Sequence, residues 1–165
     1  MDLAGINNII FDLGGVLLNL DFNKTQQAFV DLGVVEFDQY YTKAKQTGIF
    51  DLYETGKITE DVFCDDLRDL TGLEASDVEI LDAWNAMLGN FPMVRKDLLL
   101  ELKKHFNTSL LSNTNETHIK AFNQIIENDI QETSLAPLFH THFFSNEIAL
   151  RKPCLLYTSD AADEG

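Results

Sequence analysis

Apolar residues fall along this chain in short continuous runs and in stripes of helical period. Asn8-Ile9-Ile10-Phe11 is a run that stops at Asp12 and the pair Gly14-Gly15, which reads as a buried strand ending in a turn. From about Asp21 to Asn90 the pattern is helical. Thr59 is placed to cap a helix, with Ile58 and Phe63 at the positions of a hydrophobic staple and Leu67 and Leu70 on the same face. Ser76 and Glu79 have the spacing of a capping box ahead of Ile80, Trp84, Met87 and Leu88, which share one stripe. Phe91-Pro92 opens a further helix, with Pro92 where a missing N–H costs little, and its apolar face is Val94, Leu98, Leu102 and Phe106.

Thr108 to Leu111 reads as a second strand, ending at Ser112-Asn113-Thr114-Asn115. The helix after it shows Ile119, Phe122 and Ile126, and a third strand at about His142 to Ser145 precedes Arg151-Lys152-Pro153. Strands alternating with helices predict a Rossmann-like parallel α/β sheet with right-handed crossovers. The helical stretch is too long for one crossover. It is expected to be an inserted α-helical cap over 21–91, with residues 1–20 and 92–153 forming the sheet core.

Composition narrows the partners. With 45% apolar and 24% charged positions among 165 residues, the chain is that of an ordinary globular protein. Its 27 acidic against 12 basic residues give a net charge of −15, a field that repels nucleic acid and anionic membranes. An anionic substrate therefore needs a metal ion or a local basic group. No stretch approaches the ~20 apolar residues of a membrane span. The residues from Met1 to Asn8 do not look like a signal peptide, and Cys64 and Cys154 make no disulfide framework. A cytoplasmic location is expected.

Ligands of open parallel sheets sit at the carboxyl ends of the strands. Asp12, Ser112-Asn113 and Lys152 follow the first, second and third strands in turn. A carboxylate, a hydroxyl and an ammonium converging at one edge suit phosphoryl chemistry: the carboxylate attacks phosphorus, the hydroxyl and nearby N–H groups hold an oxygen, and the ammonium neutralises charge. Each residue also has a plainer reading, as a turn Asp, as the cap of the following helix and as a solvated loop charge. His118 reads as a surface or capping residue in a first helical turn, and Cys64 as inert. Asp65, Asp66 and Asp69 read as a solvated helix face. Phe22, Tyr53, Trp84 and Asn85 are candidates to shape a pocket, their aromatic positions equally suiting core packing.

Together, Ile10-Phe11-Asp12-Leu13-Gly14-Gly15-Val16-Leu17, Leu110-Leu111-Ser112-Asn113-Thr114 and Arg151-Lys152-Pro153 resemble the first three motifs of the haloacid dehalogenase-like (HAD) hydrolase superfamily, in order. Tyr53-Glu54-Thr55-Gly56-Lys57-Ile58-Thr59 is similar to cap sequence common there, and the Asp-Leu-Gly-Gly-Val loop resembles its phosphatase-like branch. The resemblance implies a Mg²⁺-dependent phosphatase acting on a small phosphorylated metabolite. It makes Asp12 the nucleophile, forming an aspartyl-phosphate, and a Mg²⁺ ligand together with the backbone carbonyl of Gly14. Ser112 is the phosphoryl-binding hydroxyl, Asn113 supports the loop and, with Gly15, belongs to the substrate-binding positions, and Lys152 pairs with both Asp12 and the phosphate. Mg²⁺ suits such an oxygen-rich site, where it keeps water and phosphate as ligands.

The sequence departs from the family pattern in two places. Gly14 stands where related phosphatases usually carry an acid–base Asp, and the acidic pair of a fourth motif is absent before Pro153. The stretch from Cys154 to Glu164 back-translates as a sequencing-library adapter, so residues 154–165 are expected to be a non-native tail on a core lacking its next strand. The first strand then becomes an unpaired apolar edge. A metal-independent 2-haloacid dehalogenase using Asp12, and a non-catalytic binding protein on a degraded hydrolase fold, are the alternatives. Residues 1–165 as written are expected to express poorly and to hydrolyse nothing at a useful rate. Soluble, cooperatively melting material with Mg²⁺-dependent turnover is the result that overturns this.

Overall fold

The computed structural model describes residues 5–37, 39–41 and 48–153, so the stretch read as a non-native tail lies outside the described residues. The elements are β1 (Asn8–Phe11), α1 (Phe22–Asp31), α2 (Ile49–Glu54), α3 (Glu60–Thr71), α4 (Asp77–Asn85), α5 (Met93–Lys103), β2 (Asn107–Ser112), α6 (Glu116–Ile130), a 3-10 turn (Ala136–Leu138), β3 (Thr141–Phe144) and α7 (Ser145–Ile148). The strands form one parallel sheet in the order β1-β2-β3. Phe11 lies opposite Leu110, and Ser112 opposite Phe144. That register delivers Asp12, Ser112 and the chain beyond Phe144 to the same carboxyl edge, as the α/β reading requires. No helix among the described residues is long and apolar enough to cross a membrane.

The expected caps form. Thr59 Oγ1 accepts from the Val62 amide at 3.4 Å, and Ser76 with Glu79 makes the full capping box. Asn115 caps α6 by accepting from the His118 amide at 2.9 Å. Two apolar clusters result. One fills the helical block, around Phe29, Phe50, Phe63, Ile80 and Trp84. The other lies against the sheet, around Leu18, Leu99, Leu110, Phe122, Ile126 and Phe144.

Two expectations are corrected. β1 is not a buried strand: among the described residues it pairs with β2 alone, and Ile10 is 68% exposed. Strand alternation sends Phe11 and Leu110 toward the core, while Ile10, Leu111 and Phe143 share a shallow patch on the opposite face. In α5, Val94 and Leu98 face outward and Leu99 is the residue fully buried. Polar anchors set that rotation. Arg95 donates to the Leu17 carbonyl (2.9 Å) and Asn19 Oδ1 (2.8 Å), and Lys96 donates to the Ile130 carbonyl (2.8 Å).

The helical block is tied to the sheet layer at several points. Its two connecting strands of chain run side by side: the Asn19 amide donates to the Asn90 carbonyl (3.0 Å), and the Gly89 amide to the Asn19 carbonyl (2.8 Å). Leu20 and Leu88 pack against both clusters. Tyr53 Oη and Thr117 Oγ1 share a hydrogen bond, and Thr117 donates to Glu60 Oε2 at 2.6 Å. Gly56 meets the backbone of Asn146, and a Cβ at this left-handed glycine (φ 66°) would land on the Asn146 carbonyl.

His118 provides another tie. It occupies the first turn of α6, as read from sequence, but its ring is half-buried against the helical block. Its ring stacks on Trp84 with centroids 5.2 Å apart and planes 10° from parallel. Nε2 lies 3.4 Å from the Trp84 carbonyl and Nδ1 lies 3.3 Å from Asn115 Nδ2. Both contacts suit the neutral tautomer with the proton on Nε2. Burial accordingly pushes the His118 pKa down from 6.5 to about 4.

Gly56→Ala is expected to cost about 1–3 kcal/mol through its strained φ and the backbone clash, lowering Tm by several degrees in a thermal melt. A base whose folded pKa is depressed binds more protons unfolded, so its contribution to stability falls as pH drops from 6.5 through 4. Burial raises Glu54 from 4.5 to about 7, which acts in the opposite sense over much of that range. The comparison that isolates the imidazole is therefore His118→Phe against the parent. The variant is expected to gain relative stability on acidification, by up to about 3 kcal/mol between these limits, measured by urea denaturation at each pH.

Candidate active site

Each motif residue reaches the site because a strand ends there. Asp12 follows β1 directly and its carboxylate is about half exposed. Its Oδ1 accepts the Leu13 amide at 2.7 Å and lies 2.9 Å from Lys152 Nζ. The same ammonium donates to the Leu111 carbonyl at 2.6 Å, so the end of β2 aims it at Asp12. Asn113 pins the main chain of Lys152 from both sides, with Nδ2 donating to the Lys152 carbonyl (2.8 Å) and Oδ1 accepting the Lys152 amide (2.7 Å). Ser112 closes β2 as a buried residue, its Oγ 3.4 Å from the Asn113 carbonyl. Asp12, Asn113 and Lys152 are thus brought into one connected cluster beside Ser112.

The chain after Asp12 turns back on itself. The Leu17 and Leu18 amides both donate to the Leu13 carbonyl at 2.9 Å, and the Gly15 amide donates to the Leu18 carbonyl at 2.8 Å. Gly15 has φ 74°, a conformation that glycine adopts without strain. At Gly14 a Cβ would meet Leu20 Cδ1 at 2.8 Å, so Leu20 fills the space where a side chain would begin. The hard oxygen donors of this loop are the Asp12 carboxylate and main-chain carbonyls such as that of Gly14. Among the described residues no three His, Cys, Asp or Glu side chains gather into a metal cluster.

Over this edge lies a cavity of about 160 Å³, lined by Gly14, Ser112 and Asn113 from the sheet side and by Phe22, Glu54 and Trp84 from the helical block. Phe22 and Trp84 stand where a pocket was expected. Tyr53 instead makes the Thr117 contact, and Asn85 does not line the cavity. Cys64 is buried in α3, its thiol pushed up to about 11 chiefly by burial, which keeps it unreactive. Asp65 and Asp69 are exposed, with Asp65 paired to Arg68.

Sequence reasoning passed over two features of the site. Arg151 spans to α2, its guanidinium 2.9 Å from Glu54 Oε2 and ion-paired with Asp51, so the residue next to Lys152 grips the helical block. Ser145 receives the Thr114 amide (2.9 Å) and donates to the Thr114 carbonyl (3.0 Å), fastening the Ser112–Asn115 loop to the start of α7. The Arg151 neighbour of Lys152 and Glu54 in the Tyr53–Thr59 stretch were visible signals. Their pairing, 97 positions apart, was not.

Known proteins share this arrangement. No protein-family model matches the chain. Over 110 residues, 67% of its length, it is 41% identical to a D-ribitol-5-phosphate phosphatase of Bacteroides thetaiotaomicron, of whose length that match covers 53%. The chain thus spans about half of that curated relative. A HAD family enzyme of the same organism, crystallised with magnesium and inorganic phosphate, superposes with a TM-score of 0.79 at 33% identity, over 98% of this chain and 80% of that one. Its magnesium complex gives 0.79 at 34%, over 98% and 79%. A predicted HAD-like hydrolase of Porphyromonas gingivalis gives 0.79 at 26%, over 98% and 78%. With that agreement extending along nearly the whole chain, and with its three motifs meeting at one sheet edge, the protein belongs to the HAD family.

Proposed function

We propose that this protein is a Mg²⁺-dependent phosphatase of small phosphorylated metabolites, in which residues 1–20 and 92–153 form the catalytic core and 21–91 the cap over it. The observation that carries the reading is the Lys152–Asp12 contact at the end of the sheet, with Ser112 alongside and a cavity above. The relative named as a D-ribitol-5-phosphate phosphatase and the enzyme crystallised with magnesium and phosphate support it. A cytoplasmic location goes with such substrates.

Asp12 is the nucleophile. One of its carboxylate oxygens attacks phosphorus in line with the leaving oxygen, forming an aspartyl-phosphate as that bond breaks. Lys152, 2.9 Å from Asp12, holds the carboxylate oriented and neutralises charge on the transferring phosphoryl group. Ser112 binds a phosphoryl oxygen, and Asn113 keeps Lys152 in place through its two main-chain bonds. Gly14 has no side chain to act as acid, so in this reading water protonates the leaving oxygen. A second water then attacks phosphorus, releasing phosphate and restoring Asp12.

The Asp12 carboxylate and the Gly14 carbonyl fit a hard cation that keeps several water ligands. Mg²⁺ held there supplies charge neutralisation for the phosphoryl oxygens. In a protein carrying −15, Lys152 and a cation bound beside Asp12 would together offset the charge that opposes an incoming phosphate.

The natural gene product is expected to release phosphate from p-nitrophenyl phosphate. Asp12→Asn is expected to lower the rate by more than about a thousandfold. Undiminished turnover in that variant removes the nucleophile from the scheme. A chelator is expected to abolish turnover, with recovery on adding Mg²⁺; halide release from a 2-haloacid in its presence identifies the dehalogenase instead.

A further inference from the structure

Arg151 and Lys152 are neighbours in the chain, yet their side chains end in different layers. The Lys152 ammonium sits at the sheet edge, 2.9 Å from Asp12 Oδ1 and 2.6 Å from the Leu111 carbonyl. The Arg151 guanidinium forks into α2 of the helical block, with one nitrogen on Asp51 and the other 2.9 Å from Glu54 Oε2. Between Ile148 and Pro153 the chain belongs to no helix or strand, so side-chain contacts set where it lies. From the sheet side they come from Asn113, which brackets the Lys152 main chain. From the block side they come from Arg151.

The plain reading is a salt bridge that fastens two layers. Its make-up argues for more. The Asp51 side chain is 57% exposed, and an ion pair there adds little to stability. Glu54 is withdrawn from solvent, burial raising its pKa to about 7, and a carboxylate buried to meet one guanidinium is a poor source of stability. What the pairing does fix is geometry, because a guanidinium presents its donors in a rigid planar fork and both prongs are engaged here. Beside it Gly56, just past the end of α2, lies against the Asn146 main chain of α7 and seats the same helix. Neither Arg151 nor Asp51 lines the cavity, so their route to the chemistry is the main chain of Lys152.

We propose that Arg151 is a positioning residue for the reaction: by bridging Asp51 and Glu54 it ties the placement of Lys152 on Asp12 to the seating of the helical block over the cavity. The carboxylate and its cation are then fully assembled when the block covers them. This rests on the phosphatase reading for the rate it predicts, but the placement of Lys152 is measurable without turnover.

The test uses Arg151→Gln, which removes the fork, and Asp51→Asn, which weakens one prong from an exposed site and carries the test should the first variant fail to fold. In the natural gene product, trace acylation read by mass spectrometry reports how firmly each lysine is held. Acylation requires the Lys152 ammonium to leave both acceptors and lose a proton. Labelling of Lys152 relative to Lys24, an exposed lysine of α1, is expected to rise about threefold in Arg151→Gln, what loosening a partly exposed ion pair supplies, and by less in Asp51→Asn. With p-nitrophenyl phosphate and Mg²⁺, kcat of Arg151→Gln is expected to fall about tenfold and KM to change less than twofold, since small displacements of a catalytic group cost rate.

A Lys152-to-Lys24 ratio unchanged in both variants overturns the proposal, whatever happens to Tm. So does a loss carried by KM alone, which places Arg151 in substrate binding, or an undiminished kcat where the ratio has risen. If the parent releases no phosphate while the ratio still rises in the variants, the phosphatase reading fails and the positioning of Lys152 by Arg151 stands.

Discussion

The contact between the Lys152 ammonium and the Asp12 carboxylate is the interaction on which the site depends. In a chain with 27 acids and 12 bases, a lone carboxylate at a sheet edge would sit in a field that repels any phosphate approaching it. One cation held against it neutralises that carboxylate locally. Both partners are partly exposed, so the contact adds little to folding stability. Its value lies in position. The Leu111 carbonyl and the paired Asn113 bonds fix Lys152 before any ligand arrives, and that preorganisation is what electrostatic catalysis requires.

The chain beside Lys152 also reaches the helical block. Its neighbour Arg151 pairs with Asp51 and Glu54 of α2, Gly56 lies against Asn146, and Tyr53 meets Thr117. The loop from β3 to Lys152 is therefore shared between two layers. A shift of the block moves the guanidinium, and with it the main chain that Asn113 holds. Such sharing explains why Gly56, far from Asp12 in sequence and bearing no functional group, is constrained as tightly as the motif loops.

Local patterns made most of the elements legible. The three strands, the Thr59 and Ser76 caps and the Phe122–Ile126 face depend on neighbours within a few residues; all of them form, though β1 is not buried and β3 ends at Phe144, one residue before the Ser145 expected. The cluster of Asp12, Asn113 and Lys152 was legible because parallel strands deliver their carboxyl ends to one edge. What local pattern missed was decided at a distance. Val94 and Leu98 look like an apolar stripe, but Arg95 and Lys96 bond to carbonyls at Leu17 and Ile130 and turn Leu99 inward instead. Ile10 lies in an apolar run, yet no described element covers its face of the sheet. His118 resembles a capping residue by sequence. Only the tertiary placement of Trp84 makes it a half-buried ring whose pKa is pushed down to about 4.

Trp84 also shows how far packing accounts for an aromatic residue. Its area belongs to the core of the helical block, where it is stacked and nearly inaccessible. Its one polar atom has no part in that packing, and a phenylalanine would fill much the same volume without burying an unpaired N–H. The stacking therefore explains an aromatic ring at this position but not an indole. The same reasoning separates Glu54 from its neighbours on α2. Asp51 pairs with Arg151 from an exposed side chain, whereas Glu54 is withdrawn from solvent at an energetic cost that one guanidinium only partly offsets.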